Sequence, residues 1–184
     1  DVQLTAEGST FLTDGVTVSL SLPGHYNVEN ALAALATCQV CGVDVALAAS
    51  RLGVVKQIPG RFERIEEGQP WTVIVDYAPE PESLRQLYGA LALIPHRRVI
   101  HVLGSCGGGR DAARRPILGK LAAENADIVI VTNEDPYDED PQQIIDQVLE
   151  GARQGGKILE QSLYRIPDRR EAIFEAIRRA QPGD

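Results

Sequence analysis

From Trp71 onward the chain alternates short apolar runs with amphipathic stretches, almost without interruption. WTVIVDYA, RRVIHVLG, ADIVIVTN and a weaker KILEQSLYRI read as strands. PESLRQLYGALALI, RDAARRPILGKLAAEN, DPQQIIDQVLEGARQG and RREAIFEAIRRA read as helices between or after them. Leu84, Leu87, Tyr88 and Leu91 share one face of the first helix, and Asp168 stands as the cap of the last. A helix-length connection carries the chain back to the same end of a sheet, so consecutive strands are expected to run parallel. Near-continuous apolar strands need cover on both faces. The pattern therefore predicts an α/β fold: a Rossmann-like, doubly wound, mostly parallel sheet with right-handed crossovers.

The first third reads differently. Residues 2–22 alternate apolar and polar side chains around Asp14-Gly15, the signature of a β-hairpin, and Pro23-Gly24 ends it. A helix follows over HYNVENALAALATCQVCG, with Leu32, Leu35 and Ala36 at helical spacing and Gly42 as its stop. Asp44 is placed to cap a second, short helix that Gly53 closes, and VVKQIPG reads as a connector. We therefore expect two parts, residues 1–58 and residues 59–184. Both ends look cut: a hairpin with two helices is a poor domain, and a further strand would be expected after QPGD. The chain also has no methionine, even at position 1, which points the same way.

Composition narrows the function classes. A chain with 43% hydrophobic and 24% charged residues can bury a core. A net charge of −8 argues against non-specific nucleic-acid binding, which needs clustered Lys and Arg. No apolar run has membrane-spanning length and no secretory signal opens the chain. Cys38, Cys41 and Cys106 make no disulfide framework; the Cys38-x-x-Cys41 pair lies in an apolar helical stretch and reads as core packing. A reducing, cytoplasmic setting, no metal site in this chain and a monomeric state are expected.

Ligands of open α/β sheets sit beyond the carboxyl ends of the strands. That rule selects three loops, DYAPEPES, GSCGGGRDAARR and TNEDPYDEDP, expected along one edge of one sheet. In the second, Gly107, Gly108 and Gly109 allow close backbone approach, the following helix offers free N–H groups, and Arg110, Arg114 and Arg115 suit a carboxylate or phosphate. The spacing is neither G-x-G-x-x-G nor a P-loop. A plain glycine turn with solvated arginines is the alternative. In the third, Glu134, Asp135, Asp138, Glu139 and Asp140 could hold Mg²⁺ or an ammonium group; Asp140 could instead cap the helix opened by Pro141. A basic loop beside an acidic one would suit the two charged ends of an amino acid. Asp76 ends a strand, where a ribose diol or a backbone N–H would satisfy it. His25, His96 and His101 are scattered; His101 lies within an apolar strand and reads as a core residue.

Taken in order, these motifs resemble the Mur ligases. GHYNVENALAALA is similar to the family's G-x-x-N-x-x-N-x-L-A-A segment, and IPGRFE to the Gly-Arg turn that joins the central ATPase domain to the carboxy-terminal one. DYAPEPESL resembles D-Y-A-H-x-P, GGGRDAARRP resembles G-G-x-R-D-x-x-K-R-P, and TNEDPYDEDP resembles the segment holding D-N-P-R. The resemblance implies the tail of the central domain followed by the carboxy-terminal domain. It implies ATP-dependent amide-bond formation through an acyl phosphate, with Mg²⁺, on UDP-N-acetylmuramoyl-dipeptide and a free amino acid. The nearest branch adds the third residue of the peptidoglycan stem.

By matching position, Asn27 and Asn30 would contact adenine, Arg61 the ATP phosphates as the catalytic cation, and Asp76 the ribose. Arg110, with Arg114 and Arg115, would bind substrate carboxylate, and Asp135 and Tyr137 would line the side-chain pocket. Departures from the family pattern are informative. Pro79 replaces the His of D-Y-A-H, Arg114 the Lys of K-R-P, and Asp135 and Tyr137 the Asn and Arg of D-N-P-R. Tyr137 cannot form the ion pair that the Arg makes with a distal carboxylate, so a diamine such as lysine, or an unusual residue, is expected as the added one, with the acidic loop favouring a cation. The phosphate loop and the central-domain Mg²⁺ groups are missing, so this chain alone is expected not to turn over ATP. The competing readings are a folylpolyglutamate- or cyanophycin-synthetase-like ligase and a non-catalytic anion-binding module.

Overall fold

A computed structural model describes all residues, 1–184, and the chain divides into two compact units. The first comprises residues 1–67, 73–77 and 86–95; the second comprises 68–72, 78–85 and 96–184. No helix is long and apolar enough to cross a membrane.

The first unit opens with an antiparallel sheet of β1 (Val2–Leu4), β2 (Ser9–Thr13) and β3 (Val16–Leu20), in that order. Asp14 and Gly15 both take positive φ, 47° and 74°, the two-residue turn whose twist matches that of a hairpin. Pro23-Gly24 then leads into α1 (His25–Val40), and the Asp44 carboxylate accepts the Leu47 N–H to start α2 (Val45–Leu52). Phe11, Val18 and Leu20 from the sheet pack with Val28, Ala31 and Leu35 of α1 and Ala48 and Ala49 of α2. Cys38 packs at the edge of this core, whereas Cys41 is exposed, so the expectation of core packing holds for only one of the pair. The unit is completed by a ribbon of β4 (Glu63–Ile65) and β5 (Val73–Val75).

That ribbon corrects one expectation. By sequence the Trp71 run reads as a buried strand of the parallel sheet. Its ordered part, β5, pairs antiparallel with β4, and Val75 is exposed. The DYAPEPES loop therefore does not leave the hydrogen-bonded sheet that carries the other two loops.

In the second unit β6 (Ile100–Leu103), β7 (Ile128–Val131) and β8 (Leu163–Arg165) form a wholly parallel sheet in that order. Successive strand residues point to opposite faces, and Val129, Ile130 and Val131 are all fully buried, so β7 is covered on both sides. The cover comes from α4 (Arg114–Asn125), α5 (Pro141–Gln154) and α6 (Arg169–Arg179); α3 (Pro81–Leu91) contributes residues 81–85 to this unit and 86–91 to the first. The α4–α5 contact is close because both helices present glycine. A Cβ on Gly119 would lie 1.9 Å from the Val148 carbonyl oxygen, and one on Gly151 the same distance from that of Pro116. Asp140 and Asp168 cap α5 and α6 through the Gln142 and Glu171 N–H groups. The 181–184 segment is fastened too: Asp184 accepts from Arg98 at 2.5 Å, and the Thr72 N–H donates to its carbonyl.

Candidate functional site

The residues expected to matter fall into one group in each unit. In the first, Gly60 takes positive φ at 69° and its N–H donates to the Glu63 carboxylate, closing a tight turn. The turn leaves Arg61 exposed, its guanidinium 5.0 Å from the centre of the Tyr77 ring. Asp76 accepts the Phe62 N–H at 2.7 Å, so at least one of its oxygens has the backbone partner that sequence left as an alternative. Asn30 is exposed on α1. Asn27 is not: it is buried, and its amide donates to the Pro23 carbonyl at 2.8 Å. Expected as an adenine contact, Asn27 here braces the turn into α1. Beside it, burial and the Asp76 charge push the Tyr26 hydroxyl up to about 12.

The second group is assembled from the ends of β6 and β7. The glycine loop after β6 and the acidic loop after β7 lie directly against each other. The Gly107 N–H donates to the Asp135 carbonyl at 2.9 Å. A Cβ on Gly107 would stand 2.2 Å from the Pro136 carbonyl oxygen, and one on Gly108 2.8 Å from the Tyr137 ring. Only glycine permits this approach. Tyr137 itself sits at φ 53°, an uncommon conformation for a bulky residue, with two thirds of its surface exposed. Arg110 and Asp135 are both exposed, at the surfaces of two loops that touch.

Arg114 and Arg115 correct a second expectation. Sequence placed them with Arg110 in an anion grip, on a helix beginning straight after the glycines. The helix begins only at Arg114, and both side chains are buried, 3% and 2% exposed. Charges this deep need partners. Arg114 pairs with Glu80. Arg115 donates to Glu139 and Gln147, each at 2.8 Å, and to the Cys106 carbonyl at 3.3 Å. The first turn of α4 is thus a clasp: it holds the 78–85 segment through Glu80, the acidic loop through Glu139 and the glycine loop through Cys106. Sequence inspection counted Glu139 among five acids and gave Glu80 no role. Two adjacent arginines in the first turn of a helix were the available signal that partner carboxylates must exist elsewhere in the chain.

The carboxylate of Glu139 is held below its ordinary value, first by Arg115 and then by the N–H groups of Gly109 and Gly108. Burial and the Glu134 charge push the Cys106 thiol up, away from a reactive thiolate. His101, expected as a core residue, is part-buried in β6; desolvation first, then Arg169, brings its imidazole down to about 4. No group of three or more His, Cys, Asp or Glu side chains is arranged to hold a metal.

Residues 60–184 match the family model of the Mur ligase glutamate ligase domain. The chain belongs to the Mur ligase family. A UDP-N-acetylmuramoyl-L-alanyl-D-glutamate–2,6-diaminopimelate ligase of Geobacillus kaustophilus is 39% identical to this chain over its whole length. A UDP-N-acetylmuramyl-tripeptide synthetase of Roseiflexus is 41% identical, also over the whole chain. The chain spans 37% of the length of each of these relatives. Among solved structures, one of a UDP-N-acetylmuramoyl-L-alanyl-D-glutamate–2,6-diaminopimelate ligase aligns with all of this chain and 37% of its own, at 32% identity and a TM-score of 0.61. The Mycobacterium tuberculosis folylpolyglutamate synthase aligns over 97% of this chain and 40% of its own, with a TM-score of 0.75 at 23% identity, which is likeness of fold alone.

Proposed function

We propose that this chain is the amino-acid-capturing part of an ATP-dependent acid–amino-acid ligase. In this reading the enzyme adds the third stem-peptide residue to UDP-N-acetylmuramoyl-dipeptide. Residues 1–58 form the end of its central domain and 59–184 its carboxy-terminal domain, a division supported by the start of the family match at residue 60. One observation carries the proposal: the glycine loop and the acidic loop are joined through Gly107 and Asp135, with exposed Arg110 on one and the exposed Asp135 side chain on the other. A guanidinium and a carboxylate on adjoining loops offer opposite partners to the carboxylate and the side-chain ammonium of a diamino acid.

When bound, ATP would supply the phosphoryl group that turns the acid's oxygen into a better leaving group. This chain's residues suit only the rim of a nucleotide. Arg61, exposed and resting on Tyr77, has the reach and charge for a phosphate; Asn30 is open to solvent; Asp76 suits a ribose diol. The sequence has no G-K-[ST] phosphate loop and no metal-holding cluster, so the 184-residue chain is inactive alone. Arg110 grips the carboxylate of the incoming amino acid and leaves its amine free to attack. Asp135, with Asp138 near it in sequence, favours a cation at the far end of the side chain, where Tyr137 offers a ring and no positive charge. The added residue is then a diamine such as lysine.

Phosphate release by the longer ligase, measured with lysine, ornithine and diaminopimelate in turn, tests the proposal. Lysine or ornithine, whose far end bears no carboxylate, is expected to drive release, with R110A raising its KM steeply. Preference for diaminopimelate, which adds a distal carboxylate, would remove the lysine-type assignment. Ligation by the 184-residue chain alone would remove the claim that it is one part of the machine.

A further inference from the structure

The glycine turn has the geometry of an anion receptor, yet an anion from the chain itself already sits in it. Gly108 and Gly109 both take positive φ, 69° and 75°, and their N–H groups help to lower the pKa of the Glu139 carboxylate. Arg115 donates to that carboxylate from below at 2.8 Å, while also holding the Cys106 carbonyl just before the glycines. The other Glu139 oxygen lies 2.9 Å from the position a Cβ on Gly107 would take. The Glu139 N–H in turn donates to Pro136, so the carboxylate is tied back into the loop that carries Asp135 and Tyr137. Arg115 is 2% exposed and Glu139 about one third exposed, so the pair is rooted at its basic end and reached by water at its acidic end.

We propose that Glu139 is a positioning residue for amino-acid capture: seated in the glycine turn and anchored by Arg115, it fixes the acidic loop against the glycine loop. Arg110 and Asp135 then stand at a set separation before the amino acid arrives. The inference rests on the reading of this site as an amino-acid pocket. It also makes a claim of its own: the Gly108–Gly109 turn is not where the substrate carboxylate binds, because Glu139 occupies it. A displaceable plug and a latch differ in sign. Removing a plug strengthens substrate binding, whereas removing a latch weakens it.

Two measurements separate these outcomes. In the 184-residue chain, E139Q is expected to move the amide resonances of Gly108 and Gly109, and formate added to E139A should return them toward their original positions. Resonances that stay in place in E139Q would show that the carboxylate does not hold the turn, whatever the enzyme does. In the longer ligase, E139Q is expected to raise the amino-acid KM about tenfold or more, the scale of a positioning defect, with kcat and the ATP KM nearly unchanged. E139D should recover part of the loss. If E139Q leaves Arg115 too poorly compensated to fold, E139Q/R115M removes both charges and is expected to show the same KM shift. An unchanged or lowered amino-acid KM in the folded variant overturns the latch. If the resonances shift as expected but R110A leaves the KM untouched, the latch stands and the pocket assignment fails.

Discussion

Two glycine turns, each followed by an arginine, are built on opposite plans. At Gly60-Arg61 the space beside the glycine is open and the arginine is exposed, held only by its rest on Tyr77. At Gly107–Gly108 the backbone is pressed against Pro136 and Tyr137, and Arg115 below is buried with a carboxylate, an amide and a carbonyl around it. The difference teaches what each turn can do. The first leaves its cation at the surface. The second holds two loops at a fixed separation and leaves only Arg110 outward, the condition for a preorganised pocket.

Breaking this contrast gives its largest effect at Gly107. Alanine there drives a methyl into the Pro136 carbonyl, a backbone group with no soft way to yield. G107A is expected to cost on the order of 3 kcal/mol of stability. The same change at Gly60 meets nothing and pays only for its positive φ, about 1 kcal/mol. Urea denaturation of the two variants checks the pair; equal costs would mean that the second turn is no tighter than the first.

A gentler contrast lies in pH. In the second unit the carboxylates of Glu139 and Asp184 are held below their ordinary values by Arg115 and Arg98, and burial brings His101 down to about 4 from 6.5. All three groups bind protons more readily unfolded than folded, so acid weakens this unit. His101 acts from pH 6.5 down to about 4, and the carboxylates act below their ordinary values of 4.5 and 3.8. Tyr26 of the first unit, raised to about 12 from 10, works the other way: its contribution is whole below pH 10 and is lost as pH rises through 12. Trp71, the sole tryptophan, lies in the second unit and reports that unit's unfolding. Its fluorescence midpoint should fall from pH 7 toward pH 4 and fall less in H101Q. A slope that H101Q does not alter would mean that His101 titrates as an ordinary imidazole.

Much of the fold was legible because its signals are local. Asp14-Gly15 names its own turn, Asp44, Asp140 and Asp168 each cap the helix that follows, and the apolar runs of β6 and β7 announce a covered parallel sheet. The partner of β5 was not legible. An apolar run such as Val73–Val75 says strand, but a strand does not carry the name of its neighbour, and here that neighbour is β4. The same limit applied at the site. The glycine and acidic loops could be placed side by side from strand order alone. That Arg114 reaches Glu80 and Arg115 reaches Glu139 depends on contacts 34 and 24 residues apart, which no periodicity encodes. The placing of Asn27 was hidden for a similar reason: only the course of the chain at Pro23 turns its amide inward.

The central claim, that two loops make one pocket for one small molecule, has a direct test. Amide resonances of the 184-residue chain are followed while lysine is added, in the native sequence and in R110A. Residues 107–110 and 134–137 should shift together along one saturation curve in the native chain and hardly at all in R110A. Movement confined to a single loop, or an unaltered curve in R110A, would contradict it.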